Sequence, residues 1–317
     1  MNTTLVKEAT VSSLQHGLRV DVALAQLFPE FSRAQLQQWL KAGNITINGT
    51  CFKAKDKVQG GEQVKLSALL SASENIHEAE DIPLQLVFED EELLVINKPA
   101  GLIVHPGAGN PKHTLVNALL HHEPSLQHLP RAGIVHRLDK DTTGLMVVAK
   151  TITAHTSLIR QMQARDIHRQ YLALVYGHLI SGGLIDTAYG RHPHNRLKMA
   201  VCKEGRQATT TYKVKKQYQQ LTLLEVTLLT GRTHQIRVHM AHINHPVVGD
   251  PLYGGSKRLP KGVHDTIRQA ILHFKRQALH AATLSLMHPI TKKQLTFTAP
   301  LPDDFQYLLT ILDENDD

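Results

Sequence analysis

The sequence predicts an α+β protein in two parts, a small N-terminal α+β module followed by a larger, strand-rich domain with flanking helices and loops. Three observations lead there. At 317 residues the chain exceeds the usual size of one small domain, and its 42% apolar content suffices for a sizeable core. A polar, acidic stretch of weak pattern, residues 71–83 (SASENIHEAEDIP), reads as a linker. Before it, helical periodicity dominates; after it, most apolar runs are of strand length.

Taken in order, Leu18, Val22, Leu24, Ala25 and Leu27 mark an amphipathic helix ending at Phe28-Pro29. Ser32 then serves as N-cap for a second helix, Arg33 to Lys41, with Leu36, Trp39 and Leu40 on its apolar side and Gly43 as its stop. Ile45-Thr46-Ile47-Asn48-Gly49-Thr50 is an alternating strand running into an Asn-Gly turn, and Glu62 to Leu66 is a further strand. Beyond the linker, strands are expected at Leu84–Glu89, Leu93–Asn97, Leu145–Ala149, Tyr171–Tyr176, Ala208–Lys215, Leu221–Leu229, Leu279–Met287 and Gln294–Thr298. Helices are expected at Thr114–His121, Thr151–Arg165, Arg232–Ile243 and the C-terminus, which ends in an acidic tail. Residues 177–207 and 254–276, basic and broken by Gly and Pro, read as loops.

Charge is unevenly spread. The net charge is +7, but residues 1–80 carry eight Lys/Arg against eight Asp/Glu, whereas residues 186–276 carry sixteen against five. Such a band suits a polyanion such as nucleic acid. The N-terminal module, seven basic against four acidic over residues 11–65, has the look of a binding unit, with Arg33, Lys41, Lys53, Lys55 and Lys57 flanking its helix and hairpin. Cys51 and Cys202 are too far apart for a Cys-x-x-Cys site, which argues against a thiolate metal centre or a disulfide framework. No signal peptide or membrane-span pattern is visible, so a soluble, cytoplasmic protein is expected. Among the 21 histidines, His239 and His242 lie three apart on a predicted helix that also carries His234, but no His-Glu-x-x-His pattern or nearby Cys or carboxylate completes a metal site.

The densest chemistry lies in His136-Arg137-Leu138-Asp139-Lys140-Asp141, a Gly-bounded loop just before the apolar run Leu145–Ala149. If this segment is extended, Asp139 and Asp141 face the same way. The cations beside them favour the carboxylate form, which suits a nucleophile or an electrostatic stabiliser. Read alone, the segment fits equally well a turn whose aspartates cap backbone amides and pair with arginine.

HRLDKDTTGLMVVAK resembles the signature loop of the RluA family of pseudouridine synthases. The resemblance continues, in order, through Asn97-Lys98-Pro99-Ala100-Gly101-Leu102-Ile103-Val104-His105-Pro106, Arg169-Gln170-Tyr171-Leu172-Ala173, Gly231-Arg232-Thr233-His234-Gln235-Ile236-Arg237-Val238-His239 and Gly249-Asp250-Pro251-Leu252-Tyr253-Gly254. It implies an S4-like RNA-binding domain over residues 12–75, a linker over 76–83, a catalytic domain over 84–305 with a mixed, mainly antiparallel β-sheet of the pseudouridine synthase type, and a C-terminal helix end and acidic tail over 306–317. It also implies Asp139 as nucleophile, Tyr171 as the active-site tyrosine, Arg232 as the partner that holds Asp139, and Asp141 as a supporting residue. Arg137 is then a candidate to fill the gap left by a flipped nucleotide, and Lys98, Arg169, Arg237, Arg33 and Lys41 are candidate RNA contacts. The implied activity converts uridine to pseudouridine in large-subunit ribosomal RNA, in the loop of helix 69, with no cofactor, no metal, no obligatory protein partner and a monomeric chain. Three alternatives stand beside it. The same chemistry on another RNA would carry the same motifs. A non-catalytic ribosome-assembly factor would have no use for Asp139, Tyr171 and Arg232 at motif spacing. A glycoside hydrolase using both aspartates fits poorly with 5% aromatic content.

Overall fold

The computed structural model describes residues 3–28, 31, 33–70, 77–107, 109–254 and 264–315. The chain divides into two compact units, Met1–Glu78 and Ala79–Asp317. In the first, the elements run β1 (Thr3–Thr10), α1 (Val20–Leu27), α2 (Arg33–Lys41), β2 (Ile45–Ile47) and β3 (Gln63–Leu70). The strands form a sheet in the order β1-β3-β2. Leu24 of α1 and Leu36 and Leu40 of α2 meet Ile45, Ile47, Val64 and Leu66 of the sheet, burying the apolar stripe seen in the sequence. Asn48 (φ 48°) and Gly49 (φ 76°) make the turn from Ile47 to Thr50, a left-handed pair that Asn-Gly adopts at little cost. Pro29 and the proposed cap Ser32 lie outside the described residues, as do residues 71–76 of the linker. β1, absent from the sequence reading, pairs along β3, with Leu5 opposite Ala68. Its threonines and charges hide the alternation, and its pairing is set by a strand some 60 residues away.

The second unit is built on one ten-stranded sheet. Its elements are β4 (Leu86–Glu89), β5 (Leu93–Lys98), α3 (Leu115–His122), β6 (Thr143–Ala149), α4 (Ile152–Ala164), β7 (His168–Tyr176), β8 (Gly183–Arg191), β9 (Met199–Val201), β10 (Arg206–Gln217), β11 (Leu221–Leu228), α5 (Gln235–His242), α6 (Asp265–His273), β12 (Leu279–Met287), β13 (Gln294–Thr298) and α7 (Asp303–Glu314). The strand order is β4-β5-β6-β12-β7-β11-β10-β8-β9, with β13 also on β12. The fold is thus mixed and mainly antiparallel, as expected. Its parallel pair is β6 with β12.

Alternation explains the packing. Leu93 and Val95 of β5 and Leu145 and Val147 of β6 pack with Ala154 and Leu158 of α4. Their neighbours Leu94, Ile96, Met146 and Val148 belong to the larger core with α3, α5, α6 and α7. Two regions read as loops contain regular structure. Residues 177–207 hold β8 and β9, an edge hairpin in which only Ile185 and Tyr189 are fully buried, so periodicity was faint. Residues 265–273 form α6, which buries Ile267 and Ile271, spaced i, i+4; residues 255–263 lie outside the described chain. α5 begins at Gln235 rather than Arg232, because His234 takes a left-handed backbone (φ 58°) that no helix continues.

The parallel register sets His280 beside Thr143 and Ala281 beside Gly144. Gly144 has φ +112°, and a Cβ there would lie 2.3 Å from the Ala281 carbonyl oxygen. Gly144→Ala is therefore expected to destabilise the protein by more than about 3 kcal/mol, read from the midpoint of a denaturant titration; a loss below about 1 kcal/mol would show that the two strands separate freely.

Candidate active site

The loop that precedes β6 doubles back along it. Ile134 bridges Val148, and His136 Nε2 accepts the Val147 amide at 3.0 Å. Burial, helped by the charge of Arg169, lowers His136 to about 3, so the ring is neutral and its Nε2 remains an acceptor. The chain then turns, with the Thr142 amide donating to the Asp139 carbonyl. Residues 139–142 are thus a turn and not an extended run. Asp139 faces a cleft, whereas Asp141 is not among the residues lining it.

That cleft is lined by Arg137, Leu138, Asp139 and Thr142 from the loop, Tyr171 from β7, Leu228 from β11, residues 232 and 234–237 around the start of α5, and Leu279 from β12. Asp139 is 16% exposed, and its Oδ2 accepts Arg237 Nη1 at 2.9 Å. Arg237 in turn donates Nε to Asp250 Oδ2 at 2.6 Å and Nη2 to Asp250 Oδ1 at 2.8 Å. Burial opposes the charge on Arg237, but the Asp250 and Asp139 carboxylates outweigh it and raise its proton affinity. His234 Nε2 lies 3.9 Å from Asp139 Oδ1. Tyr171 is buried, and burial, with Asp139 adding to it and Arg169 opposing, pushes its phenol above the ordinary value.

The structure corrects several expected roles. The guanidinium holding Asp139 belongs to Arg237, not Arg232. The late start of α5 leaves Arg232 exposed at the cleft lip and turns Arg237 inward on the first helical turn. Arg237, only 4% exposed, is thereby withdrawn from contact with an RNA backbone. Lys98 is fully buried, and its Nζ donates to the carbonyls of Pro99, Leu102 and Lys140 at 2.8–2.9 Å, tying the end of β5 to the Asp139 turn. Burial, against the pull of Asp141 and Asp139, lowers this amine to about 7. Arg169 is also buried, its guanidinium close against Gly231. Arg137 is exposed at the cleft. In the N-terminal unit Lys41 is exposed, while Arg33 is committed to the buried carboxylate of Asp21 at 2.7 Å. Asp250, Gln235 and Tyr253 were overlooked as site residues, although the segments that contain them were part of the motif pattern. Among the described residues no group of three or more His, Cys, Asp or Glu is placed to hold a metal ion, and no helix is long and apolar enough to cross a membrane.

A clamped carboxylate in a cleft that a buried tyrosine also lines has the makings of an enzyme active site. A family model described as RNA pseudouridylate synthase matches residues 92–242, and one described as S4 domain matches residues 18–64. Over 311 residues the chain is 52% identical to ribosomal large subunit pseudouridine synthase D of Xanthomonas campestris, covering 98% of this chain and 93% of that one. It is 50% identical over 305 residues to the protein of the same description from Escherichia coli, covering 96% and 93%. Among solved structures, human RNA pseudouridylate synthase domain containing 4 superposes with a TM-score of 0.58 at 26% identity, over 72% of this chain and 93% of that one. The chain belongs to the RNA pseudouridylate synthase family and is an RNA pseudouridine synthase, an isomerase.

Two stability predictions follow from this geometry. Arg237→Met strands two carboxylates that share one cation and should cost about 3–5 kcal/mol in a denaturant titration; an unchanged midpoint would mean that the fork contributes nothing. His136 is lowered to about 3 and His239 to about 4, both chiefly by burial. Below about pH 6.5 the unfolded chain binds protons that the folded chain refuses, so their contribution is intact above that pH and is lost as pH falls toward 4. Each such histidine adds a slope approaching ~1.4 kcal/mol per pH unit, and His136→Gln should flatten the stability profile between about pH 6.5 and 5.

Proposed function

We propose that this enzyme isomerises uridines of large-subunit ribosomal RNA, in the loop of helix 69, with Asp139 as its nucleophile. The observation that carries the reading is the clamp on Asp139. Arg237 engages Oδ2 and leaves Oδ1 without a hydrogen bond, facing the cleft that Tyr171 lines. The relatives' descriptions support the ribosomal target, and the S4 module supports docking on structured RNA.

In this mechanism Oδ1 attacks the ribose C1′, and the C1′–N1 bond breaks with its electron pair passing to uracil. Developing positive charge at C1′ is stabilised by the carboxylate. The freed base turns within the cleft and C5 attacks C1′, which releases the carboxylate. The C5 proton passes to the Tyr171 hydroxyl oxygen as that group's own proton passes to solvent, and N1 takes a proton from solvent. Reactant and product are isomers, so no electron is gained or lost and no cofactor is consumed. Arg137, exposed at the cleft, is suited to fill the gap left in the RNA stack by the extruded nucleotide. The place of action is the cytoplasm, where ribosomal subunits assemble, and the working unit is the monomer.

The test is a single-nucleotide pseudouridine map of large-subunit RNA treated with wild-type or variant enzyme. Asp139→Asn should lower conversion by more than about a thousandfold, and normal conversion by this variant would end the mechanism. Tyr171→Phe keeps the ring and loses the hydroxyl; a loss of about a hundredfold is expected, and unchanged turnover would remove the hydroxyl from the proton path.

A further inference from the structure

Asp139 has one oxygen held by Arg237, and the other faces His234, which has no part in the mechanism above. The surroundings of His234 determine which of its nitrogens carries the proton. The Tyr253 hydroxyl oxygen accepts the Met199 amide at 2.8 Å and lies 2.9 Å from His234 Nδ1. With the amide already donating to that oxygen, the arrangement that gives the hydroxyl's own proton a partner directs it to Nδ1. Nδ1 is then the acceptor, and the ring hydrogen sits on Nε2, the nitrogen nearer Asp139.

We propose that His234 is a positioning residue for Asp139, offering Nε2–H to the oxygen that Arg237 leaves free, with its tautomer fixed by Tyr253. This rests on the reading of Asp139 as nucleophile. The separation of 3.9 Å is longer than a hydrogen bond; the proposal requires it to shorten when substrate fills the cleft, as catalytic contacts commonly do. His234 is held by its backbone, a left-handed residue immediately before α5, and by its ring, edge-on to Tyr253 with centroids 5.7 Å apart. The charged groups acting on the imidazole are Asp139 and Asp250, which favour its protonation, and Arg237 and Arg137, which oppose it. Burial is the largest influence and leaves the ring neutral, a state in which Nε2–H donates while Nδ1 accepts.

Tyr253 also reaches toward the surface. Met199 opens β9, directly after an exposed turn at Arg196 and the half-buried Lys198, and Lys198 Nζ stands 5.9 Å from the Tyr253 ring centroid. The Met199–Tyr253–His234 chain therefore links this basic hairpin, a natural contact for an RNA backbone, to the orientation of the nucleophile. An RNA that seats the hairpin steadies the hydroxyl, the hydroxyl steadies the imidazole, and the imidazole steadies Oδ1.

Single-turnover kinetics on a large-subunit RNA fragment, with ¹⁵N spectra of the histidine rings in the full-length enzyme, test this. Wild-type His234 should show a protonated Nε2 and a bare Nδ1. Tyr253→Phe should mix the two tautomers and lower the maximal rate about tenfold, with the half-saturating RNA concentration unchanged. His234→Gln, which keeps an N–H near the position of Nε2, should retain more activity than His234→Ala, which should lose about a hundredfold. A proton on Nδ1 in the wild-type spectrum, or His234→Ala turning over within twofold of wild type, would overturn the proposal. Asp139→Asn in the same assay separates the two claims. If it is inactive while His234→Ala is normal, only the inference about His234 fails; if it is active, the reading of Asp139 fails.

Discussion

Arg237 spreads one guanidinium between two carboxylates, giving Nε and Nη2 to Asp250 and Nη1 to Asp139, and the rest of the cleft is arranged around that fork. Two buried or half-buried negative charges share one cation, so the geometry has little freedom: a lysine offers a point charge where three directed N–H groups are needed. Asp250 is itself fixed by the amides of Leu252 and Tyr253, both donating to Oδ1. The orientation of Asp139 thus descends from a turn more than a hundred residues further along the chain.

The loop bearing Asp139 is held by buried polar bonds on several sides. Lys98 grips the Lys140 carbonyl, His136 accepts from β6, Gln277 donates to Thr142, and Arg276, paired with Asp304 of α7, reaches the Asp141 carbonyl. Each of these groups is costly to bury alone, and each finds a backbone or hydroxyl partner, although His136 Nδ1 is left without one. A carboxylate held this rigidly suits the nucleophilic role proposed for Asp139, since small misplacements of an attacking atom cost large factors in rate. Basic side chains that appear in sequence as RNA contacts, notably Lys98 and Arg237, instead form this inner scaffold.

Much of this was legible in the chain. The continuous apolar runs of β6 and β7 and the capped helices α3 and α4 announce themselves through period and punctuation, and the Asp139 loop stands out by its density of charge. What stayed hidden depended on distant neighbours. β1 exists because β3 accepts it, and the β8–β9 edge hairpin because β10 does. The choice between Arg232 and Arg237 turned on a single left-handed residue, His234, which shifted the helix start by three positions. The sequence places two arginines near the motif; only the backbone says which one turns inward.

The parallel pairing of β6 with β12 joins the Asp139 loop to a strand that begins 140 residues later, at Leu279. During synthesis Asp139 therefore emerges long before the wall of its cleft. A nascent chain extended only to β11 carries Asp139 and Tyr171, but lacks Arg237, Asp250 and Leu279, and β6 has nothing beside it on one edge. Contacts of such long sequence separation form late and slowly, so the cleft closes only after almost all of the catalytic unit has left the ribosome. An RNA-modifying enzyme made this way holds the Asp139 carboxylate unclamped from the moment it is made until Arg237 and Asp250 have followed.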